Sequence, residues 1–141
     1  MTNMIHVVTA AIVNADEKRL FVQRRSGKTT YAWHWGLPGG QLRDGETLWY
    51  ALLRELIEEH GIAVWQDRRN ELALQEPIYI HESTDTRVVC LRIPHTAIIG
   101  KMRANADAVA GFDWVTADEL EYLTMTPADH ANRGVLMGLI R

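Results

Sequence analysis

The sequence predicts one mixed α/β domain over residues 1–141, and three observations carry that expectation. β-Branched and apolar runs alternate with turn residues along most of the chain. One long amphipathic segment, 47–60, stands between them, and no repeat, low-complexity stretch or linker divides the chain. With 141 residues, 47% of them hydrophobic and 23% charged, the chain is long enough to bury a core of its own.

The elements follow in order. Residues 5–13 (IHVVTAAIV) read as a buried strand, 14–17 as a turn, and 18–25 as the hairpin partner. A loop rich in polar and aromatic residues leads to Gly36-Leu37-Pro38-Gly39-Gly40, where proline and glycine impose an unusual backbone path. Over 47–60, Leu48, Leu52, Leu53, Leu56 and Ile57 supply the apolar side of a helix, and Gly61 sits where a left-handed cap is expected. A short strand over 62–65, a turn over 67–70, and strands over 76–80 and 86–93 come next. Residues 98–110 show no clear periodicity and read as a loop. A strand over 112–115 precedes Thr116-Ala117-Asp118-Glu119, which has capping-box spacing. A last helix is expected from Thr126-Pro127 through Leu139.

Bulk properties narrow the function classes. A net charge of −3 gives no electrostatic reason to expect general binding to a nucleic acid polymer or an acidic membrane. Cys90 is the single cysteine, set in the apolar run Val88-Val89-Cys90-Leu91, so it reads as a buried thiol and forms no internal disulfide. No apolar run reaches membrane-spanning length and no secretory leader opens the chain, so a cytoplasmic protein is expected. The five tryptophans suit a core, a base pocket or a dimer surface, leaving monomer and homodimer both open.

The chemistry is concentrated in 40–62. Glu55, Glu58 and Glu59 fall at i, i+3 and i+4, which stacks three like charges on one helix face at a cost of a few tenths of a kcal/mol per pair. Glu-rich faces are ordinarily just solvated. Here the pattern continues: Gly40, five residues, Glu46, seven residues, then Arg54-Glu55-Leu56-Ile57-Glu58-Glu59-His60-Gly61-Ile62. Nine constrained positions agree, seven of them with a single residue type. A chance match in a chain this long is on the order of 10⁻⁸.

Those residues make the chain resemble the Nudix hydrolases, in particular the MutT-like nucleoside triphosphate pyrophosphohydrolases. The resemblance implies a mixed sheet sandwiched between helices, with the box as a loop-helix-loop. It implies Mg²⁺- or Mn²⁺-dependent hydrolysis of a small nucleoside diphosphate-linked substrate. It makes Glu58 and Glu59 the main metal ligands, Glu55 a ligand or the group that activates water, and the Gly39 carbonyl a further ligand. Arg54 orients the carboxylates with Glu46 as partner, or touches phosphate. The family often adds a carboxylate from a loop beyond the box, and Asp107 stands nearest that place. Residue by residue, the substrate contacts implied are Arg24, ahead of Arg25, at the end of the second strand, and Asn132, with the neighbouring Asp129 as a further candidate, for the base. One aromatic among Tyr31, Trp33 and Trp35 would stack on the base, Trp35 among them. Pro77 and Tyr79 lie fifteen and seventeen residues past Ile62, spacings associated with ADP-ribose and diadenosine polyphosphate hydrolases, so the box sets the reaction and leaves the substrate open.

Overall fold

β1 (Ile5–Asn14) runs through the middle of the molecule because its two faces are both apolar. The computed structural model describes residues 4–66 and 75–141, so the turn expected over 67–70 lies outside the described residues. Val8, Ala10 and Ile12 point to one core; Ala11 and Val13 point to the other. β1 pairs antiparallel with β2 (Arg19–Arg25) only at Val13↔Leu20 and Asn14↔Arg19. The two strands then splay, and the wedge between them is filled by two short strands. β3 (Trp35–Gly36) pairs with β2, and β4 (Gly39–Gln41) pairs with β1.

α1 (Leu48–His60) lies on one face of the sheet and buries Ala51, Leu52, Leu56 and His60. Full burial of a leucine such as Leu52 or Leu56 contributes about 1.5–3 kcal/mol. The expected apolar stripe differs at its edge: Ile57 is 58% exposed, while His60 takes the buried position one turn beyond Leu56. β5 (Ala63–Val64) follows and pairs with β8 (Ile98–Ile99) as a small separate sheet.

β6 (Tyr79–Glu82) and β7 (Thr86–Pro94) form a hairpin, and β7 runs parallel to β1 from Ile5↔Thr86 to Val13↔Pro94. The first hairpin strand is shifted from the expected 76–80. His81 and Glu82 still pair with Val88 and Arg87, and Arg87 Nε sits 3.1 Å from Glu82, so the turn shrinks to 83–85. β9 (Val109–Val115) starts earlier than expected because it pairs with nearly the whole of β2.

α2 (Ala117–Glu121) has the capping box read from the sequence, with Thr116 and Glu119 each bonding the other's backbone N–H. The expected last helix is broken into α3 (Pro127–Ala131) and α4 (Arg133–Gly138). The break is at Asn132, whose φ of −110° and ψ of 18° leave the helical region. Leu120, Leu136, Met137 and Ile140 cover the second face of the sheet. Helices therefore flank the mixed sheet on both sides.

Candidate active site

The loop before α1 is shaped by close approaches. Gly39 has φ of +150°, and a Cβ there would collide with the Val8 carbonyl and Thr9 Cα, so only glycine fits against β1. A Cβ on Gly40 would stand 2.5 Å from the Glu55 carboxyl group. Thr47 caps α1 by accepting from the Tyr50 N–H at 3.2 Å, and Gly61 ends it at φ 67°. The helix is thus fixed at both ends by short-range chemistry, and its charged side faces the Gly39–Gly40 strand.

Arg54 organises that side. Its Nε and Nη2 donate to the two Glu46 oxygens at 2.8 and 2.9 Å, a bidentate pair. Nη2 also donates to the Gln41 carbonyl at 3.1 Å, and Nη1 donates to Glu55 Oε1 at 2.9 Å and Glu58 Oε2 at 3.3 Å. The fork of donors is fully used. Arg54 holds Glu46 at about 2, well below the usual carboxylate range, helped by the Arg43 N–H; Glu46 in turn raises Arg54. Glu58 remains half-exposed, with Arg43 3.7 Å away.

Glu59 behaves differently. Burial first, and then the neighbouring Glu55, push its carboxyl up to about 8, while Gln23 and Arg25 pull it down. Its Oε2 is buried and finds no hydrogen-bond partner among the described residues. A buried carboxyl oxygen without a partner is costly when ionised, and either a proton or a hard divalent cation satisfies it. The residues present therefore fit Mg²⁺ or Mn²⁺. The side chains are not drawn into a closed cage: among the described residues no three His, Cys, Asp or Glu gather at ligating distance.

Beside the box, in the wedge where β1 and β2 part, lies a cavity of about 570 Å³, within the usual range of small-molecule sites. Gly39 and Gly40 belong to its wall, so the cavity and the carboxylates share one partition. Arg25 and Gln23 line it from β2, Tyr31 from the following loop, and Thr9 from β1. At its inner end Asp129 is 3% exposed and accepts from the Leu37 N–H at 3.0 Å, the Tyr79 hydroxyl at 2.5 Å and the Thr126 hydroxyl at 3.2 Å. Burial raises the Asp129 carboxyl, and these three donors oppose the shift. Burial likewise raises Tyr79. Thr9 Oγ1 is buried without a hydrogen-bond partner among the described residues.

Glu46, Arg54, Glu55, Glu58, Glu59 and Gly39 are thus brought together. Arg25 and Asp129 join them along the cavity, and four other candidates do not. Arg24 alternates to the opposite side of β2, where its guanidinium lies over Trp33 and Trp35 at 5.6 and 6.0 Å and donates to the Trp33 carbonyl. Trp35 packs against the core and docks the segment after α2, bonding Thr124 and Thr126. Asn132 donates its amide to the Ala128 carbonyl at 2.9 Å, closing α3 instead of lining the cavity. Asp107 is 85% exposed and paired with Lys28 at 3.3 Å. Cys90 is buried and its thiol is pushed up to about 12, the state of an inert core residue.

Sequence reasoning missed Gln23, His60 and Thr9. Gln23 follows Phe21 at the inward spacing of β2, and His60 follows Leu52 and Leu56 at helical spacing. A polar residue on an apolar stripe is the signal that marks both.

A carboxylate-bearing helix between two glycine-defined turns, on a mixed sheet between helices, defines a Nudix-fold protein. The chain belongs to the Nudix hydrolase family: the NUDIX domain model matches residues 4–136. It is 34% identical over 141 residues to the putative 8-oxo-dGTP diphosphatase 2 of Mycobacterium tuberculosis, covering all of this chain and 91% of that protein. It is 41% identical over 59 residues to the 8-oxo-dGTP diphosphatase of Proteus vulgaris, a match spanning 42% of this chain and about half (53%) of that enzyme. Its fold is shared with a MutT NUDIX hydrolase from Burkholderia pseudomallei, at a TM-score of 0.70, 24% identity and 99% coverage of each chain.

Proposed function

We propose that this single-domain protein is a cytoplasmic, Mg²⁺- or Mn²⁺-dependent pyrophosphohydrolase of (deoxy)nucleoside triphosphates, oxidised guanine nucleotides included. The products are the monophosphate and pyrophosphate. The observation that supports it most is the shared partition: Glu55 stands against Gly40 on one side, and a cavity of about 570 Å³ opens on the other. Relatives named 8-oxo-dGTP diphosphatase agree with it.

Glu58, Glu59 and the Gly39 carbonyl would hold the divalent ion. When bound, it supplies positive charge to the phosphate oxygens and lowers the pKa of a bound water. Arg54 keeps Glu55 and Glu58 in place through the Glu46 fork. With Asp107 turned to Lys28, Glu55 is the base: Oε1 takes the Arg54 bond, and Oε2 accepts the proton of the attacking water. Arg25 lies at the cavity wall for phosphate, and Asp129 offers acceptors to N–H groups of a base edge.

Pro77 is exposed and outside the cavity lining, which lends the ADP-ribose spacing no support, while Tyr79 lines the cavity and donates to Asp129. A non-catalytic binding module would have lost box carboxylates, and all three remain. The test is a substrate panel with Mg²⁺ and Mn²⁺: ordinary and oxidised deoxynucleoside triphosphates, ADP-ribose, nucleotide sugars and dinucleoside polyphosphates. The proposal expects the highest kcat/KM on a triphosphate. It fails if ADP-ribose is the best substrate and triphosphates are inert.

A further inference from the structure

In the loop between β2 and β3 two large residues hold left-handed backbone, Tyr31 at φ 53° and Trp33 at φ 66°. Side chains other than glycine seldom adopt that region, and a bulky one there is strained. Such strain persists only where the surroundings over-determine it, and it gathers at ligand sites. Here the main chain closes the loop on itself. The Arg25 N–H donates to the His34 carbonyl at 2.9 Å, the Trp33 N–H to the Arg25 carbonyl at 3.0 Å, and the His34 N–H to the Tyr31 carbonyl at 3.1 Å. At its start the buried Ser26 bonds the segment before β9 twice, through its N–H to the Ala108 carbonyl and its hydroxyl to the Asp107 carbonyl.

Two neighbouring arginines add side-chain anchors, one from each side of β2. Arg25 lines the cavity and donates Nε to the Thr30 carbonyl at 2.5 Å. Arg24, on the opposite side, donates Nε to the Trp33 carbonyl at 3.0 Å and lays its guanidinium 5.6 Å from the Trp33 ring. The same indole rests on Gly27, where a Cβ would come within 2.6 Å of it. Arg24 therefore grips Trp33 by backbone and ring together, from outside the cavity lining.

Tyr31 is the residue that this arrangement holds against the cavity. Its ring is backed by His34 at 5.9 Å and still stays 51% exposed. Burial would offset backbone strain in a core residue; Tyr31 has no such compensation, and its distinguishing feature is its place on the cavity wall. A phosphate chain gains nothing from an aromatic face, whereas a flat heterocyclic base stacks on one whatever its identity.

We propose that Tyr31 is the ring on which the nucleotide's base stacks, and that Arg24 is a positioning residue that holds it there through Trp33. The inference rests on the reading of the cavity as a nucleotide site. It also separates the two arginines: Arg25 meets the cavity, and Arg24 sets the loop beside it.

The test is steady-state kinetics on dGTP with saturating Mg²⁺, with thermal unfolding followed in parallel. Tyr31→Ala should raise KM about 10-fold and leave kcat within about 2-fold, the pattern of lost binding without lost chemistry. Tyr31→Phe keeps the stacking face and should stay within about 2-fold of the wild type in KM. Arg24→Met loses donor and charge, and should raise KM by about the same factor as Tyr31→Ala. Arg24→Lys keeps a cation and an N–H for the Trp33 carbonyl, and should recover most of that loss. The double variant Tyr31→Ala with Arg24→Met should be no weaker than the worse single variant, because both act on one path. Should Arg24→Met fail to fold, Trp33→Leu removes the ring that Arg24 grips, and it should raise KM likewise. A lower melting temperature with unchanged KM, in Arg24→Met or its substitute, overturns the positioning role. Unchanged KM in Tyr31→Ala overturns the inference as a whole. If dGTP is inert and ADP-ribose is turned over, the triphosphate reading falls, and the same comparisons made on ADP-ribose still decide the stacking.

Discussion

The two ends of the cleft are built in opposite ways. The carboxylate end comes from one continuous stretch, Gly39 to Gly61, in which helix spacing, one arginine fork and two glycine turns fix most of the geometry within about 20 residues. The cavity end is assembled from β1, β2, the strand wedge, β6 and α3, and its inner carboxylate meets donors as far apart in sequence as Leu37, Tyr79 and Thr126. One end gathers box carboxylates about Arg54, with Glu58 half-exposed; the other holds the buried Asp129 among neutral donors. The difference teaches a division of labour: the local end performs a fixed reaction, and the distributed end is where selectivity can vary without disturbing it.

That contrast can be broken most forcefully at Glu59. Glu59→Gln keeps the shape and removes the charge, and should lower kcat at saturating Mg²⁺ by at least about 100-fold, measured at steady state. At the other end, Asp129→Asn should raise KM or change the ranking of bases, with kcat/KM for the preferred substrate falling about 10–100-fold and the cleaved bond unchanged. The same variant weakens acceptors for three buried donors, so a loss of about 1–3 kcal/mol in denaturant unfolding should accompany it. Arg54→Lys keeps the charge but loses the fork to Glu46, and a fall of about 10-fold in kcat/KM is expected.

A pH measurement sharpens the electrostatic side of the comparison. Glu59 has its carboxyl raised from 4.5 to about 8 in the folded, metal-free protein. Between those values the folded state keeps a proton that the unfolded chain has lost, so stability falls as pH rises through that window. Melting curves of metal-free protein should show this decline, and Glu59→Gln should flatten it. Glu46 has the opposite sign: lowered from 4.5 to about 2, it contributes stability that is lost as pH falls through that range. The smallest effect is expected for Asp107→Asn, which should leave kcat/KM within about 2-fold, because that carboxylate is exposed and salt-bridged to Lys28.

How much was legible in the sequence follows the same division. The β1–β2 hairpin, the α1 caps and the box carboxylates could be read because their determinants lie within a turn or two of each other. Asn132 looked like a base contact in sequence, but the chain leaves helical geometry at that residue and its amide closes α3. Arg24 and Arg25 could not be told apart by type; strand alternation, with the shift in β2–β9 register between them, turns Arg25 to the cavity and Arg24 to the tryptophans. Asp129 could be named only as a neighbour, since its burial depends on Tyr79, 50 residues away. Gln23 and His60 carried the local signal of polar groups on apolar stripes, but their pairing crosses 37 residues and two elements.

The most direct test of the two-ended cleft is product analysis by chromatography for the wild type and Glu59→Gln, each with a purine deoxynucleoside triphosphate and saturating Mg²⁺. The account predicts monophosphate and pyrophosphate from the wild type, and loss of both products in the variant. Release of a nucleoside diphosphate with inorganic phosphate, or undiminished turnover by Glu59→Gln, would contradict it.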